Sequence, residues 1–368
     1  MRLDVAISGA GPVGATLAIA LAAAGRKVAL IEPASAGARA FRPIALSHAS
    51  RLLLERLGAW HGLQATPIDS IHVSQAGRLG RTVLGAAETG LPALGHVVDY
   101  GALARALAQH AAGARVDARI VAVTPDADAL QVELSSGERL QAACLAHAEG
   151  AAEGMRQKRY AQDALVADVE VSPASRERAW ERFTADGPLA LLPYQGRYAV
   201  VWSMQTQRAE ALAAAGDEEF LAALQLAFGS RAGRFARVHE RSRVPLSLRR
   251  RLRRVDGRQV YVGNAAQALH PVAGQGLNLG LRDAWELART VSAHADAGDP
   301  HVLARYAALR KLDAGATTAI TDLLATLFTG DNDLSGAIRG AAMLALDACG
   351  PARRFFARRM VFGPSAMP

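Results

Sequence analysis

Six residues near the N-terminus constrain this chain most: Gly9-Ala10-Gly11-Pro12-Val13-Gly14. They follow a short apolar strand over residues 3–8 and open a helix over 15–24 that Gly25 ends. A second strand over 27–31 runs into Glu32. GxGxxG alone is a weak signal, but here it sits in a strand–helix–strand unit with an acid in register. The first glycine allows the tight turn and the second lets backbone approach a pyrophosphate. The third brings helix and strand together, and Glu32 can accept from a ribose hydroxyl. The unit is a dinucleotide site. An acid at position 32 argues against a 2′-phosphorylated nicotinamide cofactor here, and does not separate FAD from NAD.

A second stretch, residues 259–287, reads QVYVGNAAQALHPVAGQGLNLGLRDAWEL. Val260, Tyr261 and Val262 form an apolar, β-prone run that Gly263 stops, as expected of the last strand of a buried parallel sheet. His270-Pro271 imposes a turn, because the residue before proline avoids the helical region. Gly274 and Gly276 flank Gln275, so little side-chain bulk keeps a flat group away from the backbone. From about Leu277, apolar residues at 277, 281, 284 and 287 repeat at helical spacing. Strand, glycine-rich loop and helix start are the parts of an anion site. An ordinary strand-to-helix crossover would need the same parts.

Between these stretches the pattern changes. Residues 100–111 read as an amphipathic helix, 119–123 and 130–134 as a strand pair, and 140–148 as a strand ending in Glu149-Gly150. Longer strands follow at 164–171 and 198–204, with a break at Gly187-Pro188 and a helix near 218–228. Residues 66–95 are irregular apart from alternation at 70–74, and helices dominate beyond 291. Since the chain returns to its first sheet at Val260, the middle sheet is an insertion. The expected fold is α/β, with one domain from residues 1–66, 96–163 and 252–290. A mainly β domain takes 67–95 and 164–251, and a helical region takes 291–368.

The formal charge is +8, carried almost wholly by arginine, since Lys27, Lys158 and Lys311 are the only lysines. Such a balance suits nucleic acid, an acidic membrane surface or merely an arginine-rich soluble protein. The run at 249–254 lacks aromatic stacking residues and abuts the strand at Val260, so nucleic acid is not expected. Cys144 and Cys349 fit neither a metal site nor a disulfide framework, and the histidines show no ligand spacing. No metal is expected. No leader pattern precedes the strand at residue 3, and no apolar run reaches bilayer length. The expectation is a cytoplasmic protein, soluble or peripheral to a membrane.

Three segments together resemble the class A flavin monooxygenases, and among them the ubiquinone-ring hydroxylases. They are the Gly9–Gly14 loop with Glu32, the segment Arg42-Pro-Ile-Ala-Leu-Ser47 running to Gly58-Ala-Trp60, and residues 263–283. Asn264, where the wider class has aspartate, is typical of the ubiquinone branch. Residues 198–204, Pro245-Leu246 and 306–310 also fit, so the resemblance covers most of the chain. One motif departs: the class has Asp-Gly-x-x-Ser-x-x-Arg where this chain has Glu149-Gly150-Ala-Ala-Glu153-Gly-Met-Arg156. A carboxylate at Glu153 would disfavour an anionic cofactor nearby, or both changes are surface drift without consequence.

The resemblance implies a para-hydroxybenzoate-hydroxylase-like FAD domain with an inserted substrate domain. It also implies that NADPH or NADH reduces FAD transiently, and that dioxygen then gives a flavin hydroperoxide that hydroxylates a phenolic ring. The ring would be a polyprenylated ubiquinone precursor. Another aromatic hydroxylase, a lipid epoxidase or reductase, and more distantly an NAD-dependent dehydrogenase, are the rival readings. The cofactor contacts it implies begin with Gly9, Gly11, Pro12, Val13, Gly14 and Glu32. Arg42 would reach the pyrophosphate, or be merely a surface charge, with Arg105, Val121 and Gly150 as further contacts. Asn264 would lie near the ribityl chain, with Pro271, Gly274, Gln275, Gly276, Leu277 and Asn278 along the ring. His270 would touch flavin or substrate, or be a turn histidine satisfied by backbone. No catalytic acid or base is identified. The basic-aromatic run 353–359 could meet anionic lipid or a ubiquinone-biosynthesis complex, or merely end a packed helix.

Overall fold

The computed structural model describes residues 2–34, 42–150, 154–174, 176–268, 274–327 and 333–363. Strand β1 (Arg2–Ser8) lies between parallel neighbours β2 (Val28–Ile31) and β11 (Arg139–His147). The sheet continues through β8 (Arg115–Val116) beside β2 and β18 (Gln259–Tyr261) beside β11, again parallel. The strand expected at 260–262 is thus the last parallel one, though β17 (Val255–Asp256) pairs antiparallel outside it. Alternation along β1 divides the core. Val5 and Ile7 pack with helices α1 (Pro12–Ala23) and α7 (Gln275–Ser292), together with Cys144, Val260 and Leu281. Ala6 faces the other way, toward β9 (Ile120–Pro125) and β10 (Leu130–Leu134), which extend antiparallel from β11, and Leu3 at the start of the strand joins the same cluster.

Helix α1 is built from small and apolar residues because α7 must approach it closely. Val13 is the wedge. A Cβ added at Gly280 would lie 2.7 Å from Val13 Cγ2, and one added at Gly263 would lie 3.1 Å from the same side chain. Gly14 is the tightest point: a Cβ there would lie 1.9 Å from the Gly9 carbonyl oxygen. The third glycine of the fingerprint therefore works by helix–strand packing.

The middle sheet runs β19 (Gln267–Ala268), β16 (Arg234–Arg250), β12 (Arg156–Ser172), β15 (Arg197–Gln205), β14 (Pro188–Tyr194), β13 (Arg178–Phe183), β5 (Ser70–Gln75) and β6 (Arg81–Gly85). Helices α5 (Thr206–Ala214) and α6 (Asp217–Phe228) cover one face, where Trp202, Phe220 and Phe228 are buried. A smaller sheet, β3 (Pro43–Ser47), β7 (Gly95–Asp99) and β4 (Thr66–Ile68), joins the two larger ones. Its flanking helices α2 (His48–Arg56) and α4 (Tyr100–His110) start at side-chain caps, Ser47 and Asp99. A single turn, α3 (Ala86–Thr89), precedes β7. Helices α8 (Pro300–Leu327), α9 (Asp333–Ala348) and α10 (Gly350–Phe362) complete the chain. The expected boundary between residues 163 and 164 falls inside β12, which runs without interruption across it.

One buried ion network ties these parts together. Asp283 of α7 is fully buried and accepts from Arg310 Nε (2.6 Å), Arg254 Nη1 (3.2 Å), the Gly263 backbone N–H (3.1 Å) and Gln267 Nε2 (3.1 Å). Burial works to raise its pKa, but the Arg254 and Arg310 charges and these N–H donors outweigh it, so the carboxyl sits below its ordinary value. Arg310 also reaches Asp313 at 2.6 Å.

Candidate functional site

A single cavity of roughly 1440 Å³ runs from the end of the parallel sheet across the open face of the middle sheet. At its first end β1 stops at Ser8 and Gly9 turns with φ +102°, where a Cβ would meet the Ala148–Glu149 peptide at 2.8 Å. Gly11 caps α1 without any side-chain hydrogen bond, and among the described residues only the Tyr100 hydroxyl comes within 4 Å of a Cβ built there, at 3.8 Å. The helix start is thus left open to the cavity, with its positive end toward it. Glu32 ends β2 and accepts from the Ala10 N–H. Arg42 is exposed at the rim, its Cζ 5.2 Å from the Tyr100 ring centroid.

Across the groove, Gly274 in the left-handed conformation (φ +58°) caps α7, again with no side-chain cap. Gln275, Gly276 and Leu277 follow on the lining, and a Cβ at Gly276 would meet nothing within 4 Å among the described residues. Helix α7 starts two residues before the expected Leu277, because Gly274 supplies the turn. Asn264 is exposed on the 3₁₀ turn Gly263–Ala265 and lines the same groove.

Asn278 lines the cavity, but its amide is fully committed within the protein. Oδ1 accepts from Ser47 N–H and Ser50 Oγ, both at 2.8 Å, and Nδ2 donates to the Ala45 and Gly274 carbonyls, both at 3.0 Å. All its hydrogen-bonding capacity is used. Its side chain pins the first turn of α7 to β3 and α2, in place of the expected direct contact.

Of the other expected contacts, Gly9, Gly11, Pro12, Val13, Glu32, Arg42 and Gly150 line the cavity. Gly14, Arg105 and Val121 do not. Arg105 is exposed on α4, its guanidinium lying back toward Gly101. Val121 is 60% exposed because it points off the opposite side of β9, and its neighbour Ile120 takes the lining position. Pro271, His270 and Glu153 lie outside the described residues.

Glu149, the departure from the family motif, forms part of the wall beside Gly9. Burial tends to raise its pKa, but the His147 ring nitrogen at 3.4 Å and the Ser8 hydroxyl outweigh it, holding the carboxyl below its ordinary value. His147 is itself stacked on Tyr261, ring centroids 4.5 Å apart, with the Arg251 guanidinium 3.7 Å over the other ring.

The second end of the cavity was less visible in sequence. Its floor is the face of the middle sheet opposite α5 and α6, and residues of α9 and α10, including Met343, Leu346, Phe356 and Met360, form a wall. The run at 353–359 is accordingly a packed helix in part. Ala357 and Val361 are buried against Leu84 and Leu94, and Arg353 is paired with Glu88 at 2.7 Å. Phe355, 69% exposed, faces outward.

The cavity can hold a dinucleotide at its glycine-lined end, and a second, largely apolar molecule beyond it. Backbone is bare along the glycine turns, two open helix starts face the groove, and Glu32 lies beside the first of them. Such a groove leading onto the floor of a second sheet defines the FAD-dependent aromatic monooxygenase fold. The comparisons agree. The FAD binding domain family model matches residues 2–321. The chain is 36% identical over 380 residues to the ubiquinone hydroxylase UbiL of Rhodospirillum rubrum, covering 96% of this chain and 88% of that protein. It is 30% identical to the 3-demethoxyubiquinol 3-hydroxylase of Escherichia coli, over 95% of this chain and 96% of the other. In fold it is similar to the p-nitrophenol 4-monooxygenase PnpA of Pseudomonas putida, with TM-score 0.78, 18% identity and 97% of each chain covered. The chain belongs to this FAD-binding family of monooxygenases, in which NAD(P)H is the usual reductant.

Proposed function

We propose that this monooxygenase hydroxylates the ring of a polyprenylated phenol, a precursor in ubiquinone assembly. The observation that carries the reading is the continuity of the cavity, in which the glycine-lined groove opens directly onto a broad apolar floor. A ring laid on that floor, with an apolar tail running on between the sheet and α9–α10, would suit such a substrate. The printed names of the relatives at 36% and 30% identity point to the same chemistry. Bound FAD supplies the oxygen-activating chemistry. The chain's own residues do the positioning. The bare Gly9–Gly11 backbone and Arg42 would hold the pyrophosphate, and the α7 start at Gly274–Leu277 would stabilise negative charge on the reduced ring. The apolar floor would exclude water from the reacting atoms.

Anaerobic absorbance spectra of the FAD-loaded protein test the proposal. NADPH or NADH should bleach the flavin bands faster when a prenylated phenol is present, and readmitted oxygen should then yield the ring-hydroxylated product. Bleaching indifferent to the phenol, with no hydroxylated product, would overturn it.

The substrate class implies a lipid source, and the same proposal extends to contact of α10 with an anionic membrane surface. Among the described residues no helix is long and apolar enough to cross a membrane. Exposed Phe355 between Arg354 and Arg358 supports surface contact. Vesicles containing phosphatidylglycerol should retain the protein, neutral vesicles should retain less, and Phe355→Ser should weaken retention. Equal retention by both vesicle types would remove the electrostatic part of the proposal.

A further inference from the structure

The floor of the cavity holds a carboxyl that the reading above does not use. On β13, Glu181 stands in register with Val73 of β5 on one side and Ala190 of β14 on the other. Ala190 lies opposite Val201, Val201 opposite Val166, and Val166 opposite Ser242. All of these residues line the cavity. One continuous row across the sheet is therefore apolar between Val73 and Val166, apart from Glu181. Its same-face neighbours along β13, Ala179 and Phe183, are apolar as well.

Glu181 keeps part of its surface on the cavity, but its Oε1 is buried and finds no hydrogen-bond partner among the described residues. The charges close in sequence are turned away. Arg182 packs over Phe228 and donates to Ser74 on the opposite face, where His72 meets Trp180. Buried polar atoms normally have partners, and one left open toward a cavity is completed by what the cavity binds.

We propose that Glu181 is the substrate-orienting anchor of this chamber, hydrogen-bonding an oxygen substituent on an uncharged phenolic ring. Burial alone pushes its carboxyl up to about 8, so it is mostly neutral at pH 7. A neutral acid can both donate to a ring oxygen and accept from a phenol O–H. An aromatic carboxylate would instead bring a second anion beside an acid whose own charge burial already disfavours. Glu181 would thus select electron-rich, uncharged rings and fix which edge faces the groove. The inference rests on the aromatic-hydroxylase reading.

The test uses the full-length, FAD-loaded protein with two probes, 2-prenylphenol and prenylbenzene, which lacks the oxygen. Dissociation constants come from the perturbation of the flavin spectrum, and protonation comes from the infrared carbonyl band of a neutral carboxyl. Wild type should favour the phenol by about tenfold, the effect of one net hydrogen bond. Glu181→Leu should bring that ratio to about one, while Glu181→Gln, which keeps a donor and an acceptor, should retain most of it. The infrared band should be present at pH 7 in wild type, absent in the Gln variant, and shifted by the phenol but not by prenylbenzene. An unchanged ratio in Glu181→Leu, or a band that ignores the phenol, would overturn the anchor. If the Leu variant does not fold, the Gln variant and the wild-type infrared response still decide. Wild type that hydroxylates the phenol without preferring it over prenylbenzene sinks the anchor and leaves the hydroxylase reading standing. Wild type that binds neither probe overturns both.

Discussion

Replacing Asp283 with asparagine removes one charge and almost no volume from the centre of the network that joins α7, α8 and the Gly263 turn. The native carboxylate lies 2.6 Å from Arg310 Nε and 3.2 Å from Arg254 Nη1, with no exposure of its own. Asparagine can still accept from Gly263 N–H or Gln267, but it leaves Arg254 without its carboxylate and Arg310 with Asp313 alone. Removing one partner of a buried ion pair costs about 3–5 kcal/mol, and the remaining acceptor places this case near 3. For 368 residues unfolding as one unit, about 3 kcal/mol lowers Tm by about 4 °C. The assay is thermal unfolding of the FAD-loaded protein across pH. Because the folded-state pKa of Asp283 is depressed, its contribution is present above the ordinary carboxylate range near 4 and is lost as pH falls through the folded value. The gap between wild type and Asp283→Asn should therefore hold at pH 6–8 and close in acid. FAD should also dissociate faster, since the same carboxylate holds the turn that carries Asn264. A Tm within 1 °C of wild type at pH 7, or a gap that persists in acid, would refute the network's role.

Gly11→Asp should separate fold from cofactor. Its backbone (φ −64°, ψ 176°) suits an N-cap, so the apo protein should keep its stability or gain about a few tenths of a kcal/mol, while FAD binding is lost to a carboxylate facing the pyrophosphate. Equal FAD occupancy would show the groove is misread. Gly276→Val should leave folding intact, because a Cβ there meets nothing within 4 Å among the described residues, and should retain FAD yet slow hydroxylation. Unchanged turnover would place the ring elsewhere. Glu181→Gln should be more stable than wild type at pH 8 but not at pH 4.5. With the folded pKa raised to about 8, the unfolded chain ionises first, so wild type loses stability as pH rises toward that value. The slope is at most about 1.4 kcal/mol per pH unit, and a total of roughly 2–3 kcal/mol is expected, since the side chain keeps some surface on the cavity. A pH-independent difference would mean that Glu181 is not held neutral.

The dinucleotide half of the site was legible because backbone, not side chains, builds it. Gly9, Gly11 and Gly14 each mark a place where a Cβ is excluded or unwanted, and glycine spacing records that directly in sequence. The middle sheet left no comparable record. Strand β16 was missed because it is 17 residues long, rich in arginine and interrupted by Pro245, with little beyond Phe235, Val238 and Leu246 buried along it. Pro245 is tolerated because the β12–β16 ladder shifts register beside it, between Arg159 and Asp163. The smaller differences between expectation and structure have the same origin. A one-residue slip on β9 exchanges Val121 for Ile120, since successive strand residues face opposite ways. Asn278 sits in the right place, but its local sequence does not reveal that Ser47, Ser50 and Ala45, more than 225 residues away, use up its amide.

The two halves of the cavity therefore depend on different physics. At the groove, substitutions are limited by close approach: Val13 is held between Gly263 and Gly280, and any larger residue there would push α1 and α7 apart. On the floor, Val73, Ala190, Val201 and Val166 point into open space, and exchanging one for another apolar residue would reshape the chamber without straining the groove. Substrate choice can thus change while cofactor binding stays fixed. This is consistent with the fold being shared by relatives whose names specify different aromatics. Glu181 is the exception on that floor, since a lone carboxyl among aliphatic neighbours costs stability that only a bound partner offsets. Glu181 stands on the second sheet, whereas both open helix starts pack on the parallel sheet.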